Sequence, residues 1–230
     1  MDYFSQAVKA ALNLIFSFDK DVYFIVWTSV RISLVAVIIA SIIGIPLGLT
    51  VSSRSFFGKR FLLHLLNTAM ALPTVVVGLV LYGLFTRKGP MGEWDLLYTP
   101  AAIMIGQAIL ILPVIWNLTI SAAGSADPRL INTCKSLGAN QLQLGIIYLS
   151  EVRFALMAAV VTGFGRAIGE VGVAMMLGGN IEGFTRTMTT AIALETGKGE
   201  FEFALALGIL LLLVAFLVNF LLQRFQYLHK

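Results

Sequence analysis

Ser125-Ala126-Asp127-Pro128-Arg129-Leu130-Ile131-Asn132-Thr133-Cys134-Lys135-Ser136-Leu137-Gly138-Ala139 is a polar island between two apolar segments, each long enough to cross a bilayer. Asp127 carries the side-chain oxygen an N-cap needs. Pro128 suits the first helical position, where its missing N–H would be unpaired anyway, and Gly138 is the residue type that takes the left-handed turn ending a helix. The stretch therefore predicts a short, sharply bounded helix held outside the membrane. Leu130, Ile131, Cys134 and Leu137 fall on one stripe, while Arg129, Asn132, Thr133, Lys135 and Ser136 face away. A polar rod with one apolar stripe at a membrane surface is a docking element, and its expected partner is a protein.

Composition sets the class. Hydrophobic residues make up 58% and charged residues 12%, with a mean hydropathy of +0.90, too little polar surface to coat a soluble globule. The chain is expected to be an all-α polytopic membrane protein. A net charge of +4 does not point to nucleic acid, because the bases are scattered over loops instead of gathered into an aromatic-laced patch. The single cysteine, Cys134, leaves no intrachain disulfide, and His64 and His229 are too far apart to suggest a metal site.

Five spans are expected, at about Tyr23 to Val51, Phe61 to Phe85, Thr99 to Ala123, Phe154 to Gly178 and Phe203 to Phe225. Each exceeds what roughly 30 Å of hydrocarbon needs at about 1.5 Å per residue. Ahead of them, residues 1–20 predict an amphipathic interfacial segment on Phe4, Val8, Ala11, Leu12 and Ile15. A signal peptide is not expected, since Asp2 precedes the first base, Lys9. Residues 21–226 then form the membrane domain and 227–230 a cytoplasmic tail. With the N-terminus outside, the inner segments hold eight Lys and Arg and the outer ones six, which favours an N-out, C-in arrangement. The Asp127–Gly138 helix is then cytoplasmic. Arg31, near the outer end of the first span, is placed to snorkel.

Three spans carry internal prolines, Pro46, Pro73 and Pro113, each of which can be a packing bend or a hinge. Gly44/Gly48 and Gly165/Gly169 form GxxxG ridges suited to close helix approach. The fourth span contains Arg166 and Glu170, and an ionised group facing lipid costs roughly 2.5–3.5 kcal/mol, so both must face protein or water. Four residues apart, they are expected on one helix face, within pairing distance. Two readings stay open: an ion pair that locks packing, or a charged lining of a water-filled path, in which Pro73 and Pro113 are further gate candidates. The hydroxyl-rich outer segment from Gly178 to Gly197 predicts a helix from Met188 to Thr196. It is either an ordinary connection or a docking surface centred on Thr185, Arg186 and Thr187.

The order of these features resembles the permeases of ABC importers. Their cytoplasmic loop has the form Glu-Ala-Ala-x-x-x-Gly followed by Ile-x-Leu-Pro. It stands here as Asn132-Thr133-Cys134-Lys135-Ser136-Leu137-Gly138 and Ile147-Tyr148-Leu149-Ser150, keeping the glycine and Ile-x-Leu and replacing the Glu, both alanines and the proline. Ser53 to Lys59, Ala71 to Gly78 and Gly165 to Gly172 resemble the molybdate, sulfate and tungstate group. Met175 to Ile181 with Thr185 to Thr196 are most similar to tungstate permeases. The resemblance covers nearly all of residues 21–226.

It implies a type I importer permease in a prokaryotic cytoplasmic membrane, not an enzyme, with no cofactor in this chain. No G-x-x-x-x-G-K-[ST] occurs, so ATP and Mg belong to a separate ATPase. The resemblance further implies two ATPase subunits docked on Leu130, Ile131, Cys134, Leu137 and Gly138, a second permease copy, most simply forming a homodimer, and an extracytoplasmic binding protein. The cargo is an oxyanion, tungstate first, with molybdate or sulfate as the alternative. A passive channel or ion-coupled secondary transporter would use Arg166 and Glu170 as gate or relay, but it leaves the cytoplasmic helix without a purpose.

Overall fold

The computed structural model describes residues 3–124, 129, 133, 134 and 136–228. Its helices are α1 (Tyr3–Phe16), α2 (Lys20–Ser53), α3 (Lys59–Met70), α4 (Thr74–Phe85), α5 (Pro100–Gly124), α6 (Gln141–Ile168), α7 (Gly172–Gly178), α8 (Met188–Lys198) and α9 (Phe201–Leu228). No strand occurs among the described residues. By length and composition α2, α5, α6 and α9 can each cross a membrane unbroken, and α3 with α4 makes a fifth, broken span.

The core is the α2–α5 pair. Asp19 starts α2 by accepting from the Asp21 and Val22 amides at 3.1 and 3.0 Å. Its buried face then runs through Ser29, Ile32, Ser33, Ala36, Ala40, Gly44 and Gly48, one small or β-branched residue per turn. Gly44 and Gly48 lie directly on α5. A Cβ at Gly48 would come within 2.6 Å of Thr119, and one at Gly44 within 3.3 Å of Ile115. The other glycine ridge behaves differently, since Gly165 has open space where a Cβ would go and Gly169 meets only the carbonyl of Gly165. It is not a helix-packing ridge. Ala36, Ala40, Ala108, Ile111, Ile115, Phe164, Ala167 and Leu207 close the core between α2, α5, α6 and α9.

Two expected spans are not continuous. The second bends by 94° between α3 and α4, and Pro73 stands at the N-cap of α4. The fourth stops at Ile168, turns through Gly169-Glu170-Val171 and restarts as α7. Pro46 and Pro113, by contrast, lie inside unbroken helices. The short helices α4 and α7 pack on each other because glycines allow it: a Cβ at Gly172 would come within 2.8 Å of the Thr74 hydroxyl, and one at Gly78 within 3.1 Å of Met176.

α1 rests on α9. It buries Ala7 and Ala11, leaves Phe4, Leu12 and Phe16 exposed, and is tied to α2 by Tyr23, whose hydroxyl donates to the Ile15 carbonyl at 3.1 Å. On the other side of the bundle, Asn140 and Gln143 form a reciprocal cap at the start of α6, with bonds of 2.8 and 2.9 Å. Gly138 takes φ +81°, the left-handed turn expected of it.

Candidate translocation site

The joint between α6 and α7 is held by residues from three other helices. Where the ladder stops, the Ala167 carbonyl accepts from the Glu170 amide at 3.2 Å and from Gln107 Nε2 of α5 at 3.0 Å. The Glu170 carboxylate is 8% exposed and accepts from the Val173 amide at 3.1 Å, so it caps α7. The Glu170 carbonyl accepts from Thr189 Oγ1 of α8 at 2.7 Å, and the Met188 amide beside it donates to Ser29 Oγ of α2, also at 2.7 Å. The freed backbone groups are thus largely satisfied by protein, as an irregular segment at membrane depth requires.

Arg166 and Glu170 do not pair. Neither takes part in the ion pairs seen between described residues, which join Arg186 and Lys198 to Glu182 and Glu195. The spacing of four placed both side chains on one face of a continuous helix, but the helix ends between them. Glu170 turns inward to α7, while Arg166 stays exposed and reaches across with Nη2 to the Met70 carbonyl, at 3.4 Å. Met70 is the last residue of α3, so the two joints meet through this contact. Beside it, Asn117 of α5 donates to Asn67 Oδ1 at 2.7 Å. Pro73 is exposed at the α3–α4 joint, whereas Pro113 is buried in α5 and interrupts nothing.

Gln107, Asn67, Asn117 and Thr189 escaped the sequence reading. The available signal was a lone amide in an otherwise apolar run, as at Gln107 in Ile105-Gly106-Gln107-Ala108-Ile109.

On the side of the α5–α6 connection, Leu130 and Ile131 lie outside the described residues. Cys134, Leu137 and Gly138 line a groove of about 480 Å³ with Gln143, Ile146 and Ile147, and Leu137 is 82% exposed. At the opposite end, Thr185 and Thr187 are buried. Thr185 Oγ1 donates to the Gly178 carbonyl and accepts from the Ile181 amide, and Thr187 caps α8 with Thr190. Both hydroxyls are consumed in holding the loop. The exposed residues of this loop are Ile181, Glu182, Gly183 and Phe184, with the half-buried Arg186 bound to Glu182 and Glu195 at 3.4 and 3.7 Å. Glu182, Gly183 and Arg186 border a charged cavity of about 550 Å³ that Lys20, Asp21 and Lys198 also line.

Residues 40–227 match the family described as binding-protein-dependent transport system inner membrane component. The chain belongs to this family. It is a permease subunit of an ABC importer, a multi-pass protein of the cytoplasmic membrane, whose ATPase is a separate subunit and whose system includes a substrate-binding protein. Among its relatives is the tungstate uptake system permease protein TupB of Peptoclostridium acidaminophilum, 40% identical over 95% of this chain and 96% of that protein. TupB of Campylobacter jejuni is also 40% identical, over 96% of this chain and 92% of that one. The inward-facing MetNI methionine ABC transporter shares the fold, with a TM-score of 0.73 over 91% of this permease and 96% of that chain at 17% identity. The broken spans and the α5–α6 connection therefore sit in a type I importer fold.

Proposed function

We propose that this permease carries a tetrahedral divalent oxyanion, tungstate foremost, and that it is driven by a separate ATPase docked on the 127–138 segment. The observation that carries the cargo is the 40% identity to two tungstate permeases over nearly the whole chain. In the N-out, C-in arrangement the Cys134–Leu137–Gly138 groove faces the cytoplasm, and its exposed Leu137 is a fit anchor for the ATPase. Two permease copies, each engaging one ATPase, enclose the path between them. ATPase closure moves the segment as a rigid body and opens the bundle at its broken helices. Arg166, Glu170 and Pro73 stand at those breaks. The binding protein docks on the Ile181–Phe184 face and the charged cavity beneath it, and makes most of the substrate choice.

The test is reconstitution with the partner ATPase and binding protein. ATP-dependent tungstate uptake is expected, with Leu137→Asp abolishing it while the permease still inserts. Faster uptake of molybdate or sulfate would replace the cargo, and uptake driven by an ion gradient without ATP would overturn the mechanism. In a Cys134→Ala background, a cysteine at Ser55 should be labelled only from the cytoplasm and one at Gly92 only from outside.

A further inference from the structure

Among the described residues Arg166 is a cation without a countercharge. None of the ion pairs of the described residues includes it, and its hydrogen bond to the Met70 carbonyl, at 3.4 Å, lies at the long limit for N–H···O contacts. Glu170, the carboxylate closest in sequence, is buried and engaged by the Val173 amide. The next carboxylate on α6, Glu151, is about 22 Å away along the helix axis. A guanidinium has five N–H donors in a planar fork, and most of this one's are uncommitted at an exposed position. At membrane depth that arrangement is tolerable only beside water or an anion.

We propose that Arg166 is the residue that contacts the oxyanion in transit, and that Glu170 is a positioning residue that caps α7 instead of neutralising the guanidinium. This rests on the oxyanion reading above and deepens it. The fork presents two parallel donors to two oxygens of a tetrahedral anion, and the Met70 carbonyl is a weak acceptor that gives way to one and retakes the arginine when it leaves. The joint separates the charges: α6 carries Arg166 outward, and the turn at Gly169 carries Glu170 inward, where Thr189 holds its carbonyl.

The experiment uses the full complex with ATPase and binding protein, and tungstate as the probe. Arg166→Met should lower uptake about ten- to a hundredfold, the loss of a charge-assisted hydrogen bond, with assembly and thermal stability retained. Arg166→Lys should recover part of it. Glu170→Leu should lower uptake and thermal stability together, and Glu170→Gln, whose carbonyl still accepts from the Val173 amide, should restore both. Parental uptake by Arg166→Met, or a Glu170→Gln defect as deep as that of Arg166→Met, would overturn the assignment. A second measurement does not depend on the cargo. In a Cys134→Ala background, a cysteine at position 166 should react with a small anionic thiosulfonate in the assembled complex and one at 170 should not; an inert cysteine at 166 with and without ATP sinks the proposal. If the parental complex takes up no tungstate, the cargo reading fails while the labelling result still decides the place of Arg166.

Discussion

The two broken spans solve the same problem in opposite ways. At the α3–α4 joint the chain turns by 94° over Ala71-Leu72-Pro73, all exposed, and its own groups make only local bonds such as the Ala71 amide to the Thr68 carbonyl at 3.0 Å. At the α6–α7 joint Gln107 and Thr189 bind the backbone from α5 and α8, and Glu170 caps the restart from a buried position. The first joint is held by fewer bonds from elsewhere in the bundle than the second. A bundle that must switch arrangements has a use for both, because an interface moves as a unit only when one side of it is rigid. Arg166 bridges the two, rooted in the second joint and touching the first.

Substitutions at the second joint should therefore cost stability, and those at the exposed joint turnover. The largest effect is expected from Gly172→Val, which drives a branched side chain onto the Thr74 hydroxyl, 2.8 Å from a Cβ, and the Val75 amide at 3.1 Å. The cost should be about 3 kcal/mol, visible as lost thermal stability of the purified permease and collapse of uptake. Near-normal stability would mean that α4 and α7 separate easily.

Thr189→Val is next, since it leaves the Glu170 carbonyl without its partner from α8. Hydrogen bonds between membrane helices are modest, so about 1 kcal/mol is expected, read from a thermal denaturation series in detergent. Pro73→Ala should be the mildest for folding, about 0.5 kcal/mol, because the residue is exposed and its ring mainly restricts the unfolded chain. Turnover should fall by more than that small loss of stability would explain. Equal losses in both measurements would erase the difference between the joints.

The long apolar helices, the helix beginning at Met188 and the turn at Gly138 were all readable from the sequence, because each rests on local chemistry: apolar length, an N-capping threonine and a glycine with positive φ. The breaks were not. Residues Ala71 to Pro73 sit inside a continuous apolar run, and Pro73 differs locally little from Pro46 and Pro113, which leave their helices intact. What stops α6 lies far away in the chain: Gln107 is 60 residues from its acceptor and Thr189 is 19 from its own. Reading Arg166 and Glu170 as one helical turn was sound for a helix, and it failed because tertiary bonds ended the helix between them. Similarly, Thr185 and Thr187 looked like an exposed hydroxyl surface, whereas a loop crossing the top of a bundle must satisfy its own backbone, and these side chains do so.

The seat of α1 on α9 carries a consequence for biogenesis. Ala7 and Ala11 are covered by a helix that the ribosome makes some two hundred residues later, so the amphipathic segment must wait at the lipid headgroups until α9 emerges. Burial of Ala7 and Ala11 is thereby expected late in synthesis. A cysteine at Ala7 should remain open to alkylation in nascent chains arrested before Phe201 and become shielded once α9 has inserted, so this small contact can report on finished molecules.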